Sequence, residues 1–206
     1  MAEVKRVITP VGRLVHSALF EKDSFKDEKG REAEPRYKVE LAFEPDDVAE
    51  LEEAVVAAAV AEWGTKAEAD YDEGRIRSPL LDGNELTKAR EEKGKKGDAY
   101  AGKVVVRAST TFNKNGENAP GGVYVCDENA VEIDFANRGK IYNGAYVVAI
   151  VSPSAYSISG ERGVTLYLQG VQFVKDGERL RGEGVAGLFK PMMSAGAESK
   201  GRRARK

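Results

Sequence analysis

Cysteine, histidine and tryptophan each occur once in this 206-residue chain, as Cys126, His16 and Trp63. A single cysteine cannot form an internal disulfide, so a cytosolic location is the default expectation. One cysteine and one histidine cannot complete a zinc site, and Ser-His-Asp or Cys-His catalysis would have to use His16 alone. The scarcity of these residues argues against common metal centres and nucleophilic active sites.

Long apolar runs and nucleotide-binding motifs are also missing. No stretch of about 18 apolar residues occurs, so no membrane-spanning helix is expected. The first 15 residues lack the apolar segment of a secretory signal peptide. No G-x-x-x-x-G-K-[ST] motif occurs, and no G-x-G-x-x-G follows a strand and opens a helix. We therefore expect no membrane partner, no cofactor, no metal and no enzymatic activity.

The net charge of −2 conceals an uneven distribution. Residues 44–98 hold 16 acidic and 8 basic residues, whereas residues 190–206 hold 1 acidic and 6 basic residues. The whole-chain charge is therefore a poor guide to nucleic-acid binding. The basic tail 190–206 is expected to be disordered, and it is either a solubilising end or an arm that adds affinity for phosphates.

Alternating apolar and polar residues predict a mainly β fold. The first strand is expected over 4–20, with a bulge or bend at Gly12. Further strands are expected at 37–43, 103–113, 123–128, 140–158 and 164–178. We expect Pro153 to interrupt the run 140–158, and residues 161–163 to form a hairpin turn.

Residues 45–98 are predicted to form an acidic, helical insertion between the strands of a barrel. Apolar residues follow at helical spacing up to a helix end near Trp63-Gly64. They are Val48, Leu51, Val55 and Ala59. About five long strands with one helix is the pattern of a five-stranded OB-fold β-barrel, although a jelly roll or an SH3-like barrel remains possible on pattern alone. We expect one domain over residues 1–189.

Three runs in the second half carry a family resemblance. They are AYAGKVVVRAST, IYNGAYVVAIVSPSAYS and GVTLYLQGVQFVKDGERL. In this order they resemble the single-stranded-DNA-binding proteins encoded by Enterobacter phages, over roughly residues 5–185. The most specific elements are Tyr-Asn-Gly-Ala-Tyr at 142–146 and Gly-Val-x-x-x-Leu-x-x-Val-Gln at 163–172.

The resemblance implies an OB fold and a role in phage replication or recombination in the host cytoplasm. Its implied partners are single-stranded DNA and phage or host replication proteins, with the protein a monomer or a dimer. Many single-stranded-DNA-binding proteins end in an acidic tail that recruits such partners. This chain ends in AESKGRRARK instead, which puts recruitment through the tail in doubt.

Binding any single strand requires flat side chains for base stacking and cations for phosphates. The predicted strands supply both, and we assign contacts with single-stranded DNA to Lys38, Lys103, Arg107, Phe112, Tyr124, Tyr146, Tyr156 and Tyr167. An aromatic residue on an amphipathic strand is more often part of the core. This alternative applies most strongly to Phe112, which is expected to share a face with Val104 and Val106.

Two other functions stay open. A β-rich phage structural or adaptor protein, with no role in nucleic-acid binding, would use the acidic insertion as its interaction surface. A metal-dependent nuclease would use the acids at 127–134 to hold Mg²⁺. Spacing of this kind on a loop is more often a solvated turn. The main hypothesis remains a sequence-independent single-stranded-DNA-binding protein.

Overall fold

The computed structural model describes residues 5–24 and 32–180 of the chain, and this part contains nine β-strands and three α-helices. The strands are β1 (Val7–Ile8), β2 (Gly12–Asp23), β3 (Arg36–Phe43), β4 (Ile76–Arg77), β5 (Leu80–Asp82), β6 (Val104–Thr110), β7 (Tyr124–Cys126), β8 (Tyr146–Ile158) and β9 (Glu161–Lys175). The helices are α1 (Ala49–Trp63), α2 (Lys66–Asp72) and α3 (Gly83–Glu91). A mainly β fold with a helical segment is thus confirmed.

All nine strands belong to one sheet. The antiparallel pairs among the longer strands are β2 with β3, β3 with β6, β8 with β9, and β8 with β2. β6 runs parallel to β9. The short strands extend this arrangement, because β1 pairs with β8, β5 with β6, and β4 and β7 with β9.

The main core lies between the inward faces of these strands and α1. Alternate residues of β3 from Tyr37 to Phe43 are buried there, as their spacing predicts. The predicted apolar stripe of α1 is also buried, and it packs toward β8 and β9. The helix ends at Trp63, and the N–H of Gly64 donates to the Val60 carbonyl at 2.8 Å. Both predictions for this helix are confirmed.

A second, smaller apolar cluster lies on the opposite, outer face of β2, β3 and β6. Its buried members are Val15, Ala42, Tyr100 and Val105. Leu81 and Leu86 pack against it from β5 and α3, and Leu180 also contributes. The chain between β3 and β6 therefore covers one end of the outer face.

The expectation of one strand over 4–20 is wrong, because the strand is interrupted between Ile8 and Gly12, with a bend at Val11 beside the predicted position. Gly12 begins β2, and the register of β2 against β3 shifts further on, between Leu14 and His16. A Cβ atom at Gly12 would lie 2.4 Å from a ring carbon of Phe43. Glycine is required here because the buried ring packs directly against the backbone.

Two predictions for the last strands are also wrong. β8 continues through Pro153, which lies opposite Leu166 of β9. Beyond Val151, β8 has no second neighbour among the described strands, so a residue without an N–H is tolerated at this open edge. The hairpin turn is Ser159-Gly160, both with positive φ, and residues 161–163 already belong to β9.

The segment 65–98 contains more regular structure than its sequence predicts, because β4 and β5 were not expected. Strands of two and three residues are too short to show a period.

The basic tail 190–206 lies outside the described residues. Within 5–24 and 32–180, no helix has the length and apolarity needed to cross a membrane.

Candidate nucleic-acid interface

Three strands bring Lys38, Ser109 and Tyr167 into one row on the outer face of the sheet. Ser109 of β6 lies opposite Lys38 of β3 on one side and Tyr167 of β9 on the other. Paired residues of neighbouring strands point to the same face, and their chain neighbours Val39 and Leu166 are buried in the main core. Ser109 and Lys38 are half-buried and Tyr167 is exposed, so the small serine separates two long side chains.

Three aromatic side chains stand out from this surface: Phe112 is 50% exposed, Tyr124 40% and Tyr167 46%. β6 and β7 lie one after the other along β9, both parallel to it. Phe112 follows β6 and Tyr124 begins β7, so the three residues lie around the point where β7 replaces β6 beside β9. Tyr124 is paired with Gly170, and its Cδ1 would be 3.6 Å from a Cβ atom there.

The loop 113–123, between Phe112 and Tyr124, is held by defined hydrogen bonds. The Tyr37 phenol donates to the Ala119 carbonyl at 3.1 Å and accepts from the Gly122 N–H at 3.2 Å. The Asn113 side chain accepts from backbone N–H groups two and four residues later, at 2.9 and 3.0 Å. The two exposed aromatic residues are therefore joined by a braced loop.

Arg107 lies on the outer face two residues before Ser109, and it is paired with Glu40. The Arg107 Nε donates to one carboxylate oxygen of Glu40 at 2.8 Å, and the Tyr100 phenol donates to the other at 2.9 Å. Burial, together with the Glu40 charge, raises the pKa of Tyr100 to about 12. The phenol therefore keeps its proton at neutral pH and remains a donor to Glu40.

Lys38 also has a partner, since its Nζ lies 2.7 Å from the Asp23 carboxylate. The hydrogen bond from Lys38 holds the pKa of Asp23 below its ordinary value. Lys103 pairs with Glu44 and precedes β6, six residues from Ser109. Of the three predicted cations, Lys38 and Arg107 thus lie near the exposed aromatic residues, whereas Lys103 lies at the opposite end of β6.

Tyr146 and Tyr156 are half-buried and lie apart from the other aromatic residues. Tyr146 begins β8, with the Lys175 Nζ 4.8 Å from its ring centroid. Tyr156 lies opposite Gly163, and a Cβ atom at Gly163 would be 2.5 Å from the phenol oxygen. The interpretation of Phe112 as a core residue is wrong, because β6 ends at Thr110 and its alternation does not continue to residue 112.

A family model described as "Enterobacter phage Enc34, ssDNA-binding protein" matches residues 5–190. The chain belongs to this family. A phage relative, the putative protein p50 of Acyrthosiphon pisum secondary endosymbiont phage 1, is 32% identical over 126 residues. That match covers 61% of this chain and 60% of the relative, so the chain spans less than two thirds of the relative's length.

Solved structures of single-stranded-DNA-binding proteins from two phages have a fold similar to that of this chain. The C-terminally truncated single-stranded-DNA-binding protein of phage Enc34 has a TM-score of 0.58 at 16% identity, covering 84% of this chain and 87% of that one. The same protein in complex with ssDNA has a TM-score of 0.57 at 15% identity, covering 85% and 89%. The single-stranded-DNA-binding protein gp2.5 of bacteriophage T7 has a TM-score of 0.57 at 15% identity, covering 98% and 99%.

The acids at 127–134, considered for a nuclease, build local structure in this Enc34-family chain. The Asp127 carboxylate accepts two backbone N–H groups at 2.9 and 3.0 Å, and Asp134 accepts the Asn137 N–H at 2.9 Å. Glu132 pairs with Lys114. Across residues 5–24 and 32–180, no group of three or more His, Cys, Asp or Glu side chains is arranged to hold a metal ion.

Two features of the surface were not predicted from the sequence. Glu40 alternates with Lys38 on the polar face of β3, so its position beside Arg107 follows from strand pairing, although nothing in the pattern connects it to Tyr100. Phe135 is 49% exposed, with the Arg138 guanidinium 3.9 Å from its ring centroid. Phe135 lies in an irregular segment, where no periodicity indicates exposure.

Proposed function

We propose that the chain binds single-stranded DNA without sequence preference, in phage replication or recombination. The observation that carries this proposal is the row of Lys38, Ser109 and Tyr167, with Phe112 and Tyr124 exposed beside it. Exposed rings beside cations on a sheet face are the combination that binding of unpaired bases needs. The proposal uses five of the eight residues assigned to DNA from the sequence, namely Lys38, Arg107, Phe112, Tyr124 and Tyr167.

Each ring offers a flat surface to a base, and stacking contributes about 1–3 kcal/mol per base whatever the base is. Lys38 and Arg107 are placed to contact phosphates, a contribution that weakens as salt rises. In a duplex the bases are stacked on one another, so their faces are not free to meet Phe112, Tyr124 or Tyr167. Single strands should therefore bind more tightly than duplexes.

The proposed fold is a five-stranded OB barrel formed by β2, β3, β6, β9 and β8. It is supported by a closed series of strand pairings: β2 pairs with β3, β3 with β6, β6 with β9, β9 with β8, and β8 with β2. The return is a short contact of Gly12 and Arg13 with β8, extended by a bond from the Leu14 N–H to the Ala145 carbonyl at 2.8 Å. OB folds bind ligands on their middle strands, here β3 and β6.

The comparisons favour DNA binding over a structural or adaptor role. The similar solved structures are described as single-stranded-DNA-binding proteins, one of them in complex with ssDNA, and not as enzymes. The proposal includes a single domain over 1–189, with residues 45–98 inserted between the second and third barrel strands. We also propose that the protein acts in the host cytoplasm, is a monomer or a dimer, and binds phage or host replication proteins.

A titration of labelled oligo-dT and of a duplex of equal length, followed by fluorescence anisotropy, tests the function. We expect tight, salt-sensitive binding of oligo-dT and much weaker binding of duplex. Equal affinity for the two would contradict the stacking mechanism. Incubation of labelled single strand with Mg²⁺ or Mn²⁺ should leave it intact, and cleavage would instead support the nuclease alternative.

A further inference from the structure

A groove of about 1240 Å³ begins at Lys38, at the end of the row that contains Tyr167. Outer-face side chains of β2 and β3 line it, among them His16 and Lys38. One wall is formed by Arg90 and the segment that follows α3, and the other includes residues 178–180. A strand of DNA that crosses the aromatic residues toward Lys38 would therefore reach this groove.

The wall that follows α3 is rich in cations. Arg90, Lys95 and Lys96 line the groove, and a second cavity of about 230 Å³, which Arg90 and Lys95 also line, adds Lys93 and Arg107. Lys93, Lys95 and Lys96 are exposed, and none of the three forms an ion pair with a carboxylate of the described residues. Their charges are available to a ligand, whereas Lys38 and Lys103 already have carboxylate partners.

Several contacts fix the backbone of this wall. The Arg90 Nε donates to the Lys96 carbonyl at 3.0 Å, and its guanidinium lies 4.9 Å from the centroid of the Tyr100 ring. The Thr87 hydroxyl donates to the Gly97 carbonyl at 3.1 Å, and a Cβ atom at Gly97 would be 2.9 Å from the Thr87 Cα. The lysines are thus carried by a braced turn.

Carboxylates also line the groove, and two of them are already paired. Asp23 is bonded to Lys38, and Glu40 to Arg107 and Tyr100. Asp98 and Glu178 also face the groove, while Glu91 and Glu92 line neither cavity. The cations of the wall therefore outnumber the carboxylates that remain to oppose them.

We propose that Arg90, Lys93, Lys95 and Lys96 form a phosphate track. It takes the sugar-phosphate backbone of the same single strand after the strand has passed the exposed aromatic residues. This inference rests on the proposed function, since it concerns how far the bound strand extends. The track contacts phosphates and not bases, because the Tyr100 ring is buried beneath Arg90 and neither Phe nor Trp is among the described residues lining the cavities.

The test uses the full chain and three oligonucleotides: dT of about six nucleotides, dT of about twenty, and the short dT extended on either side by an abasic deoxyribose-phosphate chain. Both the long dT and the abasic extension should bind more tightly than the short dT. In a variant with Lys93, Lys95 and Lys96 each changed to Gln, the gain from the extension should be lost. Affinity for the short dT should change little.

Salt dependence gives a second readout. The Lys93/Lys95/Lys96 variant loses three phosphate contacts at roughly 0.7 each. The magnitude of its log–log salt slope for long dT should therefore be lower than that of the wild type by about 2. The wild type should thus lose roughly 20-fold more affinity than the variant between 50 and 200 mM salt. A control variant with Lys5, Lys66 and Lys140 changed to Gln removes the same charge from exposed positions outside both cavities.

The two proposals fail in distinguishable ways. Failure of the wild type to prefer single strands would remove the proposed function and the track together. The track alone would be overturned if the wild type binds single strands but the Lys93/Lys95/Lys96 variant behaves like the control. The comparison covers both the salt slope and the gain in affinity from the abasic extension. An abasic extension that adds nothing to the wild type would also overturn it.

Discussion

Glu40 places a negative charge within the surface proposed to bind DNA. Its carboxylate accepts from Arg107 and Tyr100, and its side chain is only 18% exposed. In the free protein it holds the Arg107 guanidinium in one position. When DNA arrives, the same carboxylate competes with phosphate for that guanidinium, so Glu40 should limit affinity while it orders the site.

Replacing Glu40 with Gln should strengthen the binding of oligo-dT, because Arg107 then becomes fully available to phosphate. The salt slope should steepen by about 0.7, so the ratio of variant to wild-type affinity should grow about threefold between 200 and 50 mM salt. The amide oxygen still accepts from Tyr100, so the fold should be retained. Anisotropy titrations over a range of salt measure the change.

Two further variants serve as controls for this prediction. Arg107→Ala should weaken binding and make the slope shallower, and Glu50→Gln on α1 should leave the slope unchanged, although it removes the same charge. Weaker binding by Glu40→Gln would mean that ordering of Arg107 matters more than its release from the carboxylate.

Tyr167 provides the test of stacking at a single residue. Tyr167→Ala should weaken oligo-dT binding about 5- to 150-fold, the loss expected for one stacked base. Because the ring is 46% exposed, the midpoint of thermal unfolding should change little. Tyr167→Phe keeps the ring and should retain most of the affinity. A sharp drop in thermal stability with unchanged affinity would instead identify Tyr167 as a structural residue.

At the scale of elements, the turn of the chain from β6 to β7 depends on the core strand β3. Tyr37 is fully buried, and its phenol makes two hydrogen bonds to the loop 113–123. The exposed residues Phe112 and Tyr124 flank this loop. Packing inside the molecule thus sets the positions of two side chains on its surface.

Tyr37→Phe should lower stability by roughly 1–3 kcal/mol, because the buried Gly122 N–H loses its acceptor. For a chain of this size that corresponds to a fall of about 2–12 °C in the unfolding midpoint. Amide exchange at Gly122 should also accelerate. The matched change Tyr124→Phe, at an exposed ring, should leave the midpoint unchanged. Equal midpoints for Tyr37→Phe and the wild type would exclude this role of the phenol.

Elements with a long period are the ones that the sequence analysis predicted well. α1 shows its buried stripe over three turns, and β3 alternates over its whole length. β4 and β5 were missed because two or three residues show no period, and their positions depend on partners distant in sequence, Arg162 and Val106. The prediction of a break at Pro153 was wrong because an open strand edge tolerates proline.

At the scale of the whole molecule, the distribution of charge matters more than its sum. The net charge of −2 combines an acidic segment at 44–98 with a tail at 190–206 that carries 6 basic residues and 1 acidic residue. Within the acidic segment itself, Lys93, Lys95 and Lys96 line cavities on the outer face of the sheet. A long DNA strand would therefore meet local positive charge on a protein that is slightly negative overall.

Truncation after Phe189 should weaken binding of single strands and lower the salt slope by at most about 4, since the tail has six cations at roughly 0.7 each. A full-length variant with the six cations changed to Ser separates the effect of charge from that of length. Unchanged affinity in both variants would identify the tail as a solubilising end.

Local pattern in the sequence was sufficient for the class of fold, the main core residues and the candidates for base stacking. Period and residue type report which side chains can be buried or can stack, and they do so without knowledge of partners. The tertiary structure decided which candidates meet: it placed Lys38, Ser109 and Tyr167 in one row, and it separated Lys103, Tyr146 and Tyr156 from them. The physical reason is that register between strands distant in sequence determines which side chains share a face, and register depends on the packing of the whole core.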